Sequence, residues 1–409
     1  MAKEKPIDSA SFDEINLIKY VDDKKLEEIG RRAVEDYDED ERSRTTWDTK
    51  RANWLKLFMG HVDAKNFPWK GAANIPVPLL TTAVIQFQSR AYEALMPAKD
   101  KVKVYKTGSE DRLRAERVAK HMNYQLDYLM EDFEAGWDIS LFQLPVNGSI
   151  FRKTYYDPML GIPVSEYCSV EDIIINYETN PLKTPRRITQ IIRLYTDEIA
   201  TREEMGVFEN LDKLKDSKKK KIVSGSVEQL NDVDTQVRQL VTDVEGIQLP
   251  TVTDSDLRRV FLEQHYWWDL NDDGVEEPYV ITIDKETAQP VRITKRSTPD
   301  GKVVDYFTHY YFFPNPEGFY GLGFGHVLEG INEAAKSILN QIIDAGTLAN
   351  LSGKTGFINK RSGIKKGDFQ LELGDYKGVD VNSDDINKAI YSFNFPGPSP
   401  VLFSVLGLL

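Results

Sequence analysis

A glycine-rich segment that leads directly into a long amphipathic pattern is the feature of this sequence that most limits its fold. The segment GFYGLGFG occupies residues 318–325, and an apolar pattern continues to residue 350. Apolar residues recur there at alternating spacings of three and four, which predicts a single α-helix. About 25 residues at roughly 1.5 Å each give a rod of about 37 Å. The fold must therefore accommodate a long rigid helix with a glycine segment in front of it.

The predicted helix has apolar flanks and a polar strip. The flanks include Leu328, Ile331, Ala335, Ile338 and Ile342, and the strip includes Glu329, Asn332 and Lys336. Such a helix is either a core element of an ordinary domain or a rod that packs beside copies of itself while the strip faces a solvent channel. We interpret the preceding glycines as a hinge, because glycine leaves the backbone free to change direction. These hinge residues are Gly318, Gly321, Gly323 and Gly325.

A Gly-Lys-Thr tripeptide follows the predicted helix and has a superficial likeness to a nucleotide-binding loop. That loop has the pattern G-x-x-x-x-G-K-[ST], with a strand before it and a helix after it. Here Leu348 stands where the first glycine is required, and the predicted order is helix, loop, strand. The sequence therefore argues against a nucleotide site, and Gly353 is better interpreted as a helix C-terminal glycine.

The charge balance limits how the protein can contact nucleic acid. The 409 residues carry a formal net charge of -13, and the pI is about 5.1. Binding of DNA over a whole surface depends on Lys and Arg that neutralise phosphates, so we expect any contact with DNA to be local or weak. The single cysteine, Cys168, excludes an intramolecular disulfide and fits a reducing compartment. Because neither a signal peptide nor a membrane-spanning stretch is evident, we expect a soluble protein without a membrane partner.

The pattern along the chain predicts an α+β fold built from successive segments. These are residues 1–46, an exposed helical arm; 47–195, helices followed by strands; 196–255, a polar insertion; 256–317, further strands; 318–351, the glycine segment and long helix; 352–395, a small β-rich region; and 396–409, the start of another segment. We expect one helix from near Pro78 to before Pro97 and another over residues 109–133, capped by Ser109. The apolar ending PVLFSVLGLL indicates that a C-terminal part is missing.

The acidic stretch DLNDDGVEE at residues 269–277 is the one candidate metal site. Asp269, Asn271 and Asp273, followed by Gly274, match the first half of a calcium-binding loop. The second half does not match, because Val280 stands where a bidentate glutamate is required. An Asp-Gly hairpin tip accounts for the same residues without a metal, and we favour it. Calcium is therefore a secondary possibility, and no other cofactor is expected.

The sequence gives little support for an enzyme. Its five histidines are scattered without a metal-binding spacing, it contains no GxSxG motif, and its single cysteine lies on a predicted strand. Carboxylates are plentiful, but the sequence reveals no isolated inward-facing pair. We expect a non-enzymatic protein. The alternatives are a metal-dependent nuclease or phosphodiesterase that uses residues 269–277, and a calcium-stabilised capsid or adaptor protein.

Four sequence blocks, taken together and in order, carry a resemblance to a known family. They are FPWKGAANIPVPLLTTAVIQFQSRAYEALMP, LPVNGSIFRKTYYDPMLGIPVSEYCSVEDIIIN, WWDLNDDGVEEPYVITI and GLGFGHVLEGINEAAKSILNQIIDAGTLANL. The sequence resembles the portal proteins of tailed bacteriophages, particularly the short-tailed type, over residues 45–409. Residues 196–255 match least. Portal chains of this type are longer, which agrees with the missing C-terminal part inferred above.

The resemblance implies a dodecameric ring at one capsid vertex, through which double-stranded DNA is packaged and ejected. It implies a wing over residues 47–317 with the polar insertion inside it, a stem helix within 318–351, a clip at 352–395, and the start of a second stem segment at 396–409. The second stem helix and the crown would lie beyond Leu409. Implied partners are a terminase, a head-to-tail adaptor, and the major capsid and scaffolding proteins, in the virion and, during assembly, in the host cytoplasm. The proposed clip contains a basic cluster that either faces DNA or an acidic partner surface or is a solvated loop: Lys360, Arg361, Lys365 and Lys366.

Overall fold

The computed structural model describes most of the chain, in two compact units. The described residues are 14–62, 65, 67–97, 100–105, 112–157, 161–181, 183–211, 258–271, 273–350, 352, 356–359, 376–379, 390–392 and 394–408. The first unit comprises residues 1–59 and 81–327, and the second comprises 60–80 and 328–409. Helices and largely antiparallel sheets occupy separate stretches of the chain, so the fold is α+β as expected.

Helices account for the larger share of the described residues. After a 3₁₀ turn at Ile18–Tyr20 they are α1 (Asp23–Met59), α2 (Leu79–Leu95), α3 (Arg112–Tyr124), α4 (Phe133–Asn147), α5 (Thr196–Glu204), α6 (Phe324–Asn350) and α7 (Pro400–Leu408). A π-helical turn, Gln125–Leu129, follows α3 directly. The bounds of α2 agree with the expectation from the flanking prolines, since Pro78 precedes its first residue and Pro97 follows its last.

Eleven described strands form three sheets. The strands are β1 (Ser149–Asp157), β2 (Ile162–Cys168), β3 (Ile173–Ile174), β4 (Ile188–Leu194), β5 (Arg259–Trp268), β6 (Glu277–Asp284), β7 (Gln289–Lys295), β8 (Phe307–Tyr311), β9 (Gly356–Asn359), β10 (Tyr376–Val379) and β11 (Ile390–Ser392). The first unit holds the sheets β2-β1-β8 and β3-β4-β5-β6-β7, in which neighbouring strands are antiparallel. The second unit holds β10-β9-β11, in which β10 runs parallel to β9.

The two sheets of the first unit are joined by a buried ion pair. Lys153 on β1 places its Nζ 2.7 Å from Glu263 Oε1 on β5 and donates a second hydrogen bond, of 2.6 Å, to Gln190 Oε1 on β4. Burial alone would raise the pKa of Glu263, but Lys153 and His265 together hold it below its usual range. The carboxylate is therefore ionised at neutral pH and stays bound to the lysine.

Helix α1 corrects the expectation of an exposed N-terminal arm. Its apolar residues Leu26, Ile29 and Ala33 are buried in a cluster with residues of β5, β6 and β7, including Tyr279 and Ile281. In the sequence, the apolar stripe of α1 is narrow and therefore appears too sparse for a core helix. A stripe at spacings of three and four is sufficient against a flat sheet, which contacts only one face of the helix.

Charged residues of α1 are buried as well, which the sequence pattern concealed. Arg44 donates hydrogen bonds to the carbonyls of Val170 and Ile173 at 3.0 and 2.8 Å, and its Nε lies 2.9 Å from Asp48. Because the guanidinium has several donors in a fixed plane, one arginine can satisfy several buried acceptors. Some of the charged residues of α1 thus form a buried hydrogen-bond network, and only the others lie on a solvated surface.

Helix α3 forms within the expected span of residues 109–133, but it ends at Tyr124 and the π-helical turn after it ends at Leu129. Its apolar stripe is exposed in the single chain. Leu113, Val118 and Met122 are all exposed to solvent. The proposed cap, Ser109, lies outside the described residues. An apolar stripe left in water on one chain is a surface that association can cover.

Candidate functional site: the glycine segment and the long helix

The glycine segment at residues 318–325 is packed tightly within the first unit. A Cβ atom on Gly321 would lie 2.5 Å from the carbonyl oxygen of Gly148, and one on Gly323 would lie 2.6 Å from that of Pro145. A Cβ on Gly318 would lie 2.6 Å from the Tyr177 ring. These separations are shorter than a side chain permits, so glycine is required here for close approach of the backbone.

This packing changes the reason for glycine at the predicted hinge. None of Gly318, Gly321, Gly323 and Gly325 has a positive φ, unlike Gly148, which has a φ of +80°. Glycine is therefore present at these positions for close packing and not for the freedom of the backbone on which the hinge interpretation depended. Movement about the segment stays a prediction.

Tyr320, inside the glycine segment, fixes the start of the long helix to the first unit. Its hydroxyl donates to the Ile175 carbonyl at 3.0 Å and accepts from Arg44 at 3.1 Å. Its ring stacks on Trp47 with a centroid separation of 4.4 Å. Burial raises the pKa of this phenol although Arg44 opposes the shift, so the hydroxyl keeps its proton and remains a donor.

Helix α6 confirms the predicted long helix, with bounds Phe324–Asn350. The position of its polar residues corrects the expectation of a solvent-facing strip. Asn332, Asn340 and Asp344 are buried, whereas the apolar Val327 and Ile331 are 53% and 42% exposed. Within a single chain, some polar side chains of this helix are therefore buried while some of its apolar side chains are exposed.

The physical reason is a segment of chain without regular structure that runs beside α6. The backbone amide of Ala73 donates to Asp344 Oδ1 at 2.6 Å, and that of Ile75 donates to Asn340 Oδ1 at 2.8 Å. Backbone amides outside helices and sheets have no partner in a regular hydrogen-bond pattern, so other groups must accept from them. Asn340 and Asp344 supply the acceptors, so these polar residues are structural within the second unit.

The other predicted stem residues divide by exposure. Ala335 is buried, and the half-buried ones are Leu328, Glu329, Lys336, Ile338 and Ile342. The side chain of Asn332 is buried, and its Oδ1 accepts no hydrogen bond from any described residue. The exposed apolar residues Val327 and Ile331 lie one helical turn apart on an apolar flank of α6.

The small sheet after α6, formed by β9, β10 and β11, lies within the β-rich region predicted at residues 352–395. Helix α6 ends at Asn350 and β9 begins at Gly356, so a helix precedes the Gly-Lys-Thr tripeptide and a strand follows it. That order is the reverse of a nucleotide-binding loop. Ser352 Oγ donates to Asn394 Oδ1 at 2.8 Å and joins the entry and exit of this region. Gly353 and the basic residues Lys360, Arg361, Lys365 and Lys366 lie outside the described residues.

The acidic stretch at residues 269–277 is the connection between β5 and β6. Asp269 Oδ2 accepts from the amide of Gly274 at 2.9 Å, and Asp273 Oδ1 accepts from that of Val275 at 2.7 Å. Asn271 Nδ2 donates to Asp273 Oδ2 at 3.0 Å, and Gly274 has a φ of +83°. The side chains thus build the hairpin turn. Within the described ranges, which omit residue 272, no cluster of three possible metal-binding side chains occurs.

A cavity in the first unit brings two of the scattered histidines together with a buried arginine. His265 on β5, His309 on β8 and Arg296, which directly follows β7, all line one cavity of about 280 Å³. The residues come from different strands, and only the packing of the two sheets brings them together. No spacing rule joins them, so the sequence contained no signal for this site.

Comparisons with known proteins add no family to these observations. No protein-family model matches the chain, and no curated protein sequence matches it. Among the described helices, none is both long and apolar enough to cross a membrane.

Proposed function

We propose that the chain is a subunit of a bacteriophage portal, a ring through which double-stranded DNA enters and leaves a capsid. The observation that carries the proposal is the occurrence of four portal-like sequence blocks in the same order, the last of which is the glycine segment with helix α6. In this proposal α6 is the stem helix beside the channel, the small sheet belongs to the clip, and the first unit is largely wing.

Exposed apolar surface on one chain supports assembly into a closed ring. Val327 and Ile331 on α6, and the exposed stripe of α3, are apolar side chains that a single chain leaves in water. Covering such surface against another copy is favourable by roughly 25 cal/mol for each Å² removed from water. In a ring, each copy presents one such surface and receives another.

Net acidity suits a conduit through which DNA must slide. Every cation held on a phosphate adds salt-dependent affinity, and such affinity slows transit. A chain with a formal charge of -13 binds phosphate weakly outside local basic clusters. In the proposed mechanism the ring aligns its helices around an axial channel, while the terminase hydrolyses ATP. The adaptor and the capsid and scaffolding proteins bind its outer surfaces.

The test is the assembly state of the full-length protein. We expect light scattering to give a mass many times the 46.8 kDa of this chain, and electron microscopy to show rings. The central hole should admit a duplex of about 20 Å. A compact monomer that cuts DNA when magnesium is added would refute the proposal.

A pair of variants links the assembly to α6. Val327→Asp combined with Ile331→Asp places charge on the exposed apolar pair, and we expect it to lower the mass towards that of a monomer. Gln341→Asp adds a charge at an exposed polar position of the same helix and should leave the rings intact. Equal ring formation by both variants would remove α6 from the interface.

A further inference from the structure

The cavity lined by His265, Arg296 and His309 lies where the two sheets of the first unit meet. Strand β8 contributes Phe307, Thr308 and His309, and β5 contributes His265. The His265 ring contacts the Phe307 ring edge-on, with a centroid separation of 4.9 Å. The sheets are held at a fixed separation by the Lys153–Glu263 pair, so the cavity is a built feature of the fold.

Arg296 brings a buried positive charge to this cavity, and it forms no ion pair with another described residue. Its residue surface is only 3% exposed, and its Nε has no hydrogen-bond partner among the described residues. The Asp305 charge acts on its guanidinium from a distance. Burial lowers the pKa of Arg296, which reflects the cost of holding a charge away from water. An arginine in this state is short of an anionic partner.

The histidines of the cavity do not supply competing charge at neutral pH. Burial lowers the pKa of His309 to about 4, and it lowers that of His265 although Glu263 opposes the shift. Both rings are therefore neutral. The remaining charged lining residues are Lys183 and Asp305, one of each sign, so the formal charge of the lining with Arg296 is +1.

Apart from Thr184 and Thr308, the rest of the lining is apolar or aromatic. It includes Phe151, Ile175, Ile188, Phe307 and Phe319. The His309 ring stacks on Phe151 and Phe319 at centroid separations of 4.9 and 4.5 Å, so one wall is a continuous face of rings. Ligand sites of this type combine apolar walls with a few polar groups that fix orientation.

We propose that this cavity binds a small organic anion, with an oxyanion group on Arg296 and an apolar or aromatic body against the ring wall. A carboxylate or a phosphate ester supplies the same oxygen acceptors, and the planar guanidinium binds either through two parallel hydrogen bonds. The site lies wholly within the first unit and does not depend on ring assembly.

Titration calorimetry of the full chain with three probes tests the chemistry. Benzoate carries both the anion and the ring, benzyl alcohol carries the ring without the charge, and inorganic phosphate carries charge without an apolar body. We expect benzoate to bind at least about tenfold more tightly than benzyl alcohol, since a hydrogen bond to a charged group carries that difference. It should also bind more tightly than phosphate, which has no apolar surface to bury against the ring wall. Absence of benzoate binding, or equal binding of benzyl alcohol, would overturn the proposal. Equal binding of phosphate would overturn the apolar-body assignment.

Two variants and a control locate the binding. Arg296→Met should weaken benzoate binding by about tenfold or more. Arg292→Met is the matched control, because Arg292 also has a buried Nε without a partner in the described chain but is not a lining residue. Thr308→Trp fills the cavity from an exposed strand position and keeps Arg296, so it should also abolish binding. Benzoate binding that survives both Arg296→Met and Thr308→Trp would place the anion elsewhere and contradict the inference.

Discussion

Arg187 holds Asp40 of helix α1 through two parallel hydrogen bonds. Its Nε lies 2.6 Å from Asp40 Oδ2, and its Nη2 lies 2.7 Å from Asp40 Oδ1. A third contact, of 3.0 Å, joins Nη1 to Asp36. Asp40 is fully buried, so this arginine fixes α1 to the chain just before β4.

Removing one partner of this pair should destabilise the fold strongly. Arg187→Met leaves the Asp40 carboxylate buried without its bidentate donor, and we expect a loss of about 3–5 kcal/mol in the free energy of unfolding. Urea denaturation measures it. The control is Arg31→Met, which removes an exposed pair with Glu35 and should cost less than about 1 kcal/mol. Similar costs for the two variants would contradict the buried role of Arg187.

Two glycines in the first turns of α6 should respond in opposite directions to alanine. A Cβ on Gly325 would lie 2.5 Å from Trp54 Cγ, whereas one on Gly330 would meet nothing within 4 Å. We expect Gly325→Ala to destabilise by about 1–3 kcal/mol through overpacking. Gly330→Ala should stabilise by about 0.5–1 kcal/mol, because alanine loses less conformational entropy in a helix. Thermal unfolding of both variants tests this, and a neutral Gly325→Ala would show that Trp54 can move aside.

The side-chain acceptors on α6 should protect two particular amides from hydrogen exchange. Asn340→Ala removes the acceptor of the Ile75 amide, and Asp344→Ala removes that of Ala73. Each change should cost about 0.5–1.5 kcal/mol, since one hydrogen bond is lost and the partly buried amide is left to water. Exchange measured by NMR should accelerate at the affected amide alone. Gln341→Ala, at an exposed position, is the control and should change neither amide.

His309 should make stability fall in mild acid. Burial lowers its folded pKa to about 4, below the unfolded value of about 6.5, so the unfolded chain binds the proton more readily between these values. The free energy of unfolding should therefore decrease as the pH falls from about 6.5 towards 4, by at most about 1.4 kcal/mol per pH unit from this group.

The variant His309→Gln separates this contribution from that of other groups. Glutamine keeps a polar side chain near Ser149, which contacts His309 Nε2 at 3.0 Å. Denaturation curves between pH 7 and 4 should show a shallower decline for the variant. Parallel declines would assign the acid sensitivity to other groups, among them His265, whose pKa is also lowered by burial.

Local pattern was sufficient to place two of the helices, α2 and α6. The prolines at 78 and 97 bounded α2, and the alternating spacing of three and four predicted α6 almost to its observed ends. These features depend on neighbouring residues, so the sequence contains their cause. The hairpin tip at residues 269–277 belongs to the same group, because its side chains bond to amides a few residues away.

Burial of polar groups was decided by tertiary structure. Asp40, Arg44, Asn340 and Asp344 resemble surface residues in the sequence, and each is buried because a distant segment supplies its partner. The glycines at 318–325 suggested freedom of the backbone, whereas the folded chain uses them where other backbone and rings approach closely. The cavity around Arg296 arises from strands far apart in the chain. The sequence by itself determined which elements form, since helices and turns follow from local spacing. Only the tertiary structure decided which of their faces are interior, because burial depends on what is packed against them.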